Sequence, residues 1–385
     1  MRQFLRIFSA LTILSGIIVA IFFFNKLTAD FQVLGENAVL LKETAYVGNF
    51  IGGVVGTFFS LGGFFILILT LSEQTKFAHK ERFESKFFDL VKLHRENVRE
   101  LEKDNTSGRK EFHKIFLQFL ECREDMKPVF RRANENTIYE KKYADELREK
   151  FNLTNENINL VDLAKLNLPY LVTFYGVGSH GREAIYDFLE NKYKKAFIKK
   201  AIEYISMKPA KSSLYFQSWS RLNKLPSKSR VRIAQLIRRI RNNEIIPNDE
   251  QVDLANEHFY KSDYVKFYGG HQYQLGHYFR HLFQTFSFIN IQNNLRHDEK
   301  YFYAKTLRAQ LSTHEQLLLF INSISSLGMV WDLTPEISKK WYRSDKDLIN
   351  EKRLITKYNL IKNIPGKKIF GITYSYYYPN VEFEQ

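Results

Sequence analysis

The chain has 385 residues, 57 Lys and Arg against 42 Asp and Glu, a formal net charge of +15, and one cysteine, Cys122. A single cysteine excludes an intramolecular disulfide and any cysteine-based zinc site, and suits a reducing compartment. The positive balance favours anionic partners, and the length allows one large domain or two small ones beside any membrane segment.

The first apolar run is Phe4–Phe24, FLRIFSALTILSGIIVAIFFF, charged only at Arg6. A signal peptide has a shorter apolar region, roughly 7 to 15 residues, and ends in a small-residue cleavage site. Here the run ends in FFF and only the poor candidate Leu27-Thr28-Ala29 follows, so it reads as a retained membrane span. The second run, Tyr46–Leu71 (YVGNFIGGVVGTFFSLGGFFILILTL), is uncharged throughout. A hydrocarbon core about 30 Å thick is crossed by roughly 20 helical residues, so this is a second span.

Small residues recur along the second span at Gly48, Gly52, Gly56 and Ser60, a strict interval of four. Residues four apart share a helix face, and a face without bulk admits close helix packing. The row predicts helix association, with the first span available as a partner and homo-oligomers formed through the spans. Orientation follows from the flanking positive charges. Arg2 and Arg6 precede the first span, Lys26 and Lys42 lie between the spans, and Lys76, Lys80, Arg82 and Lys86 crowd the exit of the second. Both termini are therefore expected in the cytoplasm, with a short external loop near Asn25–Ala45.

The first 72 residues hold four basic residues (Arg2, Arg6, Lys26, Lys42) and three acidic ones (Asp30, Glu36, Glu43), leaving 53 basic against 39 acidic beyond them, or +14. Glu73–Lys103 carries Phe77, Phe83, Phe87, Phe88, Val91, Leu93, Val98 and Leu101 among charges, an amphipathic helix that continues the second span. Asp104–Gly108 reads as a turn, after which Phe112, Ile115, Phe116, Phe119 and Leu120 restart the helical period.

YGVGSHGRE places Gly176, Gly178 and Gly181 in a G-x-G-x-x-G pattern after a possible strand at Tyr170–Tyr175. Such a loop can cradle phosphate at a helix N-terminus. The βαβ context is missing, since Ala196–Ser206 reads as more helix, and the ordinary alternative is glycines that end one element and open the next.

Ile205–Asn243 contains no acidic residue and ten basic ones: Lys208, Lys211, Arg221, Lys224, Lys228, Arg230, Arg232, Arg238, Arg239 and Arg241. With Tyr215, Phe216 and Trp219 among them, the segment suits RNA, anionic lipid, or a solvated face with no ligand.

Helical patterning recurs at Arg182–Ser206, Ser229–Arg241, Gln274–Gln292 and Tyr301–Ser326, and Lys368–Tyr378 is the best strand candidate. In HYFRH, His277 and His281 share a helix face as two metal ligands would. No third ligand is identifiable, and the ordinary reading is His277 in the core with a hydrogen bond and His281 exposed; neither a metal nor a cofactor is expected. In RAQLSTHE, Arg308 and His314 have the spacing of the arginine–histidine pair of helical HEPN ribonucleases, which supports attack by an RNA 2′-hydroxyl. The alternative is Arg308 paired with an acid and His314 on the surface.

After the two spans come ESKFFDLVKLHRENV (Glu84–Val98), FYGVG (Phe174–Gly178), GHYFRHLFQTFSFIN (Gly276–Asn290) and YFYAKTLRAQLSTHEQLLLFIN (Tyr301–Asn322). In this order the blocks resemble the putative phage abortive infection protein family of bacteria. The resemblance implies antiviral defence in which the infected cell stops growing or dies before phage matures. It also implies that Arg280, Arg308, Gln310 and Ser312 belong to a polar surface of a helical domain, and it carries over no catalytic site.

The expected architecture is mainly α: a membrane anchor over residues 1–72 with spans at 4–24 and 46–71, a juxtamembrane helix over 73–108, and a helical cytoplasmic domain over 109–385. The expected function is that of an inner-membrane abortive infection effector that senses a phage-derived trigger and perturbs the bilayer through its spans. The alternatives are a membrane-tethered ribonuclease using Arg308 and His314, and a scaffold for another defence protein.

Overall fold

A computed structural model describes residues 2–30, 41–101, 108–151, 158–258, 264–333, 353–366, 368 and 371–384. Residues 31–40 of the loop expected near Asn25–Ala45, and 104–107 of the turn expected at Asp104–Gly108, lie outside the described residues. The described residues form two compact units, Met1–Phe88 and Asp89–Gln385. They are helical, and among them no strand occurs beyond two isolated bridges, Tyr139 with Tyr193 and Pro209 with Lys266.

In the first unit, helix α1 (Arg2–Asp30) packs against a second helical run made of α2 (Leu41–Phe50), a π-helical turn (Ile51–Val55) and α3 (Gly56–Glu100). Both runs are long and apolar enough to cross a membrane. The pairing is antiparallel: Arg6 reaches Glu73 at 2.5 Å, the Phe8 and Phe65 rings sit 5.1 Å apart, and Phe23 stacks on Phe50 at 3.9 Å.

The closest approach of the two helices uses Gly62 and Gly16. A Cβ on Gly62 would fall 2.6 Å from Ile13 Cγ1, and one on Gly16 would fall 2.9 Å from Phe58 Cβ. Ser9 donates to the Gly62 carbonyl at 3.2 Å across the same contact. Helix α1 meets Gly62, not the four-residue row on which helix association is expected. Gly48 and Gly52 meet no neighbour, and Gly56 meets only the Ile51 carbonyl of its own helix. A fixed interval of four drifts around an α-helix, and the π turn inside the row shifts its register again. The face α1 covers is therefore set by which glycine opposes a bulky residue, not by the run of glycines.

In the second unit, α4 (Gly108–Phe130) lies at the centre and buries Phe112, Ile115, Phe116 and Phe119. It packs on α7 (Leu160–Tyr175), which is apolar nearly all round and buried nearly all round. Between them in sequence come α5 (Glu135–Ile138), capped by Asn134, and α6 (Lys141–Lys150). The segment Tyr170–Tyr175, a possible strand by sequence, is the last part of α7. Continuous burial, which a strand run and a core helix share, leaves the period uninformative there.

Helix α7 ends at Gly176, whose φ of 79° is left-handed, and α8 (Ser179–Leu189) begins after Gly178. A Cβ at Gly176 would collide with the Gly269–Gly270 backbone, and one at Gly270 with Tyr175 and Gly176. Gly176 and Gly270 thus allow two chain segments to cross, held by Val177 N–H donating to Tyr268 O at 2.9 Å and His271 N–H to Phe174 O at 2.8 Å. The expected continuous helix over Arg182–Ser206 is broken between α8 and α9 (Lys195–Ser206).

Helices α10 (Phe216–Lys224), α11 (Ser227–Arg241) and α12 (Asp249–His258) follow, then α13 (Gln272–Asn290), α14 (His297–Arg308) and α15 (Thr313–Ile324). The strand expected at Lys368–Tyr378 is absent from its described residues, where Tyr374–Tyr376 form a 3-10 turn after a short α16 (Leu354–Lys357). Tyr374 and Tyr378 point into the core, which accounts for the alternation.

Candidate functional site

The richest polar cluster in the second unit is built where α15 begins. Ser312 caps this helix: its Oγ accepts from Glu315 N–H, and Glu315 Oε2 accepts from Ser312 N–H at 2.8 Å. Ser312, expected in a polar surface, is therefore first a structural cap. The second oxygen of the buried Glu315 accepts a hydrogen bond from Tyr278 of α13 at 2.8 Å, and burial beside that carboxylate pushes the Tyr278 phenol well up.

Tyr278 leads to a pair of histidines. Its ring is 5.5 Å from that of His94 on α3, and His94 stacks with His281 of α13 at 6.3 Å and 18°. Both ring nitrogens of His94 and of His281 are buried without a hydrogen-bond partner, as is Asn97 Nδ2. Burial, with the His281, Arg109 and Arg95 charges adding to it, lowers His94 to about 4. His281 is lowered as well, first by burial and then by His277. The expected placement of the HYFRH pair is reversed: His281 is buried and His277 exposed. Helix α13 turns its Tyr278–His281–Leu282 side to the core, which leaves His277 and Arg280 in solvent. Among the described residues no group of three metal-ligating side chains forms.

The same cluster continues to the surface. Gln310, in the break between α14 and α15, accepts from Arg95 Nε at 3.1 Å through its side chain and from Arg109 Nη2 at 3.4 Å through its carbonyl. One helical turn further on both elements, His113 Nδ1 and His314 Nε2 share a hydrogen bond of 2.7 Å. Burial and the facing His113 lower His314. His94, Arg95, Val98, Arg99, Gly108, Arg109 and Gln310 enclose a cleft of about 260 Å³, with three guanidinium groups and no carboxylate among the described lining residues. Gly108 is required at its edge, because a Cβ would collide with the Val98 carbonyl.

Arg308 does not join this cluster. Its guanidinium is buried and donates to the carbonyls of Tyr358 at 3.0 Å and Asn359 at 2.9 Å, tying α14 to the C-terminal segment. Arg308 ends one helix and His314 lies in the first turn of the next, and each is engaged by different partners. The partner of His314 is His113, 201 residues away, which spacing could not reveal. His94, Arg95 and Asn97 were within reach of sequence reasoning, since LHREN lies inside the Glu84–Val98 block.

The basic segment does not form one surface. Lys208 is buried, with Nζ 2.5 Å from Glu121, 2.7 Å from Asp125 and 3.8 Å over the Phe267 ring. Arg238 is paired with Glu203 at 3.2 Å and Glu244 at 2.9 Å. Arg230 is half-buried, whereas Lys211, Arg221, Lys224, Lys228, Arg232 and Arg239 are exposed; the Arg241 side chain lies outside the described residues.

Residues 270–340 match the family model described as putative phage abortive infection protein. The matched segment carries α13, α14 and α15, and so Tyr278, His281, Gln310, His314 and Glu315 of the polar cluster. The domain points to a role in phage defence. Neither a curated protein nor a solved structure matches the chain.

Proposed function

We propose that the chain is a bacterial inner-membrane abortive infection effector, whose helical unit detects an infection product in the cytoplasm and whose two spans then perturb the bilayer. One observation carries this reading: a phage-defence segment and two membrane-length apolar helices belong to the same chain. Positive flanks at both helix ends favour cytoplasmic termini. The row Gly48, Gly52, Gly56 and Ser60, left uncovered by α1, is free to mate with a second copy in the bilayer.

The polar cluster is the element that rearranges. An unsatisfied buried polar group costs about 1–3 kcal/mol, so an arrangement that supplies partners to His94, His281 and Asn97 has a ready driving force.

The tethered-ribonuclease reading gains one specific observation, the His113–His314 pair beside Arg109, a constellation suited to general acid–base work on RNA. Timing after infection separates the two. Membrane potential is expected to fail before RNA integrity, and His314→Ala to retain substantial protection at normal protein level. RNA cleavage that comes first and vanishes in His314→Ala overturns the membrane reading.

A further inference from the structure

Helices α9 and α11 run beside each other without closing. Ala196, Lys200 and Glu203–Tyr204 recur at three- and four-residue spacing on one face of α9, and Val231, Ala234 and Arg238 do so on α11. Two amphipathic helices ordinarily fill such a gap with leucine-sized side chains. Here alanines and charged residues stand on the facing sides instead, and a cavity of about 430 Å³ remains. That size lies within the range of small-molecule sites, roughly 300–1,000 Å³.

The wall has two characters. Arg182, Lys200, Arg239 and Lys266 bring positive charge in addition to Arg238, and Glu203, already paired with Arg238, is the one carboxylate among the described lining residues. Small apolar residues, Ala196, Val231 and Ala234, stand among them. A surplus of cations is more than a structural cavity needs, because each like-charged neighbour destabilises the others. Tyr204 supplies an independent sign of a missing partner. It is 95% buried, it lines the cavity, and its hydroxyl has no hydrogen-bond partner. A buried hydroxyl without a partner is uncommon in a relaxed interior.

We propose that this cavity binds a nucleotide, with the cations on its phosphates, the apolar lining residues against its base and the Tyr204 hydroxyl on a polar atom of the ligand. Bounded size favours a small molecule over a polymer, which needs a groove that tracks its backbone. The mixed wall favours a ligand with a flat apolar part over a bare anion. The site shares Arg238 and Arg239 with the basic segment but draws Arg182, Lys200 and Lys266 from outside it, so a count of charges along the sequence cannot locate it.

The test uses the full-length protein in detergent micelles and fluorescent N-methylanthraniloyl derivatives of ATP and GTP. Saturable binding of at least one is expected, displaced by the unlabelled nucleotide and at least tenfold less well by the bare nucleoside or by inorganic triphosphate. Lys200→Glu with Arg239→Glu, and separately Ala234→Trp, are each expected to weaken binding at least tenfold, and Tyr204→Phe several-fold. The charge-reversal pair lies near the surface and leaves folding testable by thermal unfolding, so loss of binding with an unchanged melt supports the site. Absence of saturable binding of both nucleotides overturns it. So does full affinity in the charge-reversal protein, or triphosphate competing as well as ATP and GTP do. A 20-nucleotide single-stranded RNA or phosphatidylglycerol vesicles binding here while neither nucleotide competes also overturns it. The readout is binding, so the outcome is separate from that of the phage-protection experiment.

Discussion

The apolar hairpin of the first unit and the Asp89–Gln385 unit differ in what they turn outward. In the α1–α3 hairpin the outward residues are large and apolar, with Phe22 and Phe4 about two-thirds exposed, whereas Ser9, Thr12 and the Gly62 contact lie inside. In the Asp89–Gln385 unit the phenylalanines are inside: Phe112, Phe116 and Phe119 are buried, and the lysines and arginines are mostly outside. On the proposed membrane reading, the difference is one of solvent. Against water, apolar area drives burial at about 25 cal/mol per Å². Lipid chains offer no such gain, so helices associate there through small residues and close backbone approach.

The largest expected effect tests the water-facing half of this comparison. Lys208 is buried against Asp125 and Glu121, and Tyr268 also donates to Asp125 at 2.7 Å. Lys208→Met leaves a carboxylate without its cation in a poorly hydrated site and should destabilise the protein by about 3 kcal/mol. Thermal unfolding of the solubilised protein measures it. The Arg6–Glu73 pair, well over half exposed on the Arg6 side, should by contrast contribute less than about 1 kcal/mol when broken by Arg6→Ala. Equal losses would remove the distinction.

Next comes His94, lowered to about 4 and faced by His281, Arg109 and Arg95. Between its ordinary value of about 6.5 and 4, the unfolded chain binds a proton that the folded chain refuses. Stability from this group is therefore complete above about pH 6.5, falls as pH drops, and levels off below 4, a loss of about 3 kcal/mol across the window. Denaturant titration at pH 7 and pH 4.5 should show the drop in wild type and a smaller one in His94→Leu. An identical slope in both would mean that His94 is hydrated or paired in solution.

How far the sequence carried these conclusions depended on whether the signal was local. The two spans, the continuation of the second into α3, and helices α4, α11 and α13 follow from apolar runs and period, which are properties of a few turns. The glycine triplet was legible as a stop and a start, but not as a crossing of Gly176 with Gly270, because nothing in FYGVG points to a segment 90 residues on. The polar cluster was half legible. Gln310 and His314 stand out in RAQLSTHE, whereas His113 is one of many polar residues on the amphipathic α4. The alternation at Lys368–Tyr378 reproduced a strand pattern, since core tyrosines spaced along an irregular segment have the same period as a pleat.

A smaller effect belongs to Gly62. Leucine there must push Ile13 and Thr12 away, an overpacking of about 1–3 kcal/mol. Cysteines replacing Phe8 and Phe65, whose rings are 5.1 Å apart, report it: oxidative crosslinking within the chain should be efficient in the parent and lost with Gly62→Leu. Retained crosslinking would show that the hairpin is held by something other than this contact.

The smallest effect on the chain's own packing is expected from Gly52→Leu with Gly56→Leu. A Cβ at Gly52 has no neighbour within 4 Å and one at Gly56 meets only its own helix, so neither position opposes α1 as Gly62 does. The 8–65 crosslink should form as in the parent, and insertion should be normal because leucine is as welcome in lipid as glycine. What should change is contact between copies. If the row is the face on which two chains meet, leucine holds them apart, and crosslinking between copies and protection against phage should both fall while the hairpin stays intact. Should the double variant protect cells and crosslink between copies as the parent does, the row is only what a membrane helix tolerates, and the close contacts of this anchor are those of Gly16 and Gly62. The same pair of measurements on Gly62→Leu gives the reverse pattern, hairpin lost first, so the two glycine sets are told apart by which crosslink disappears.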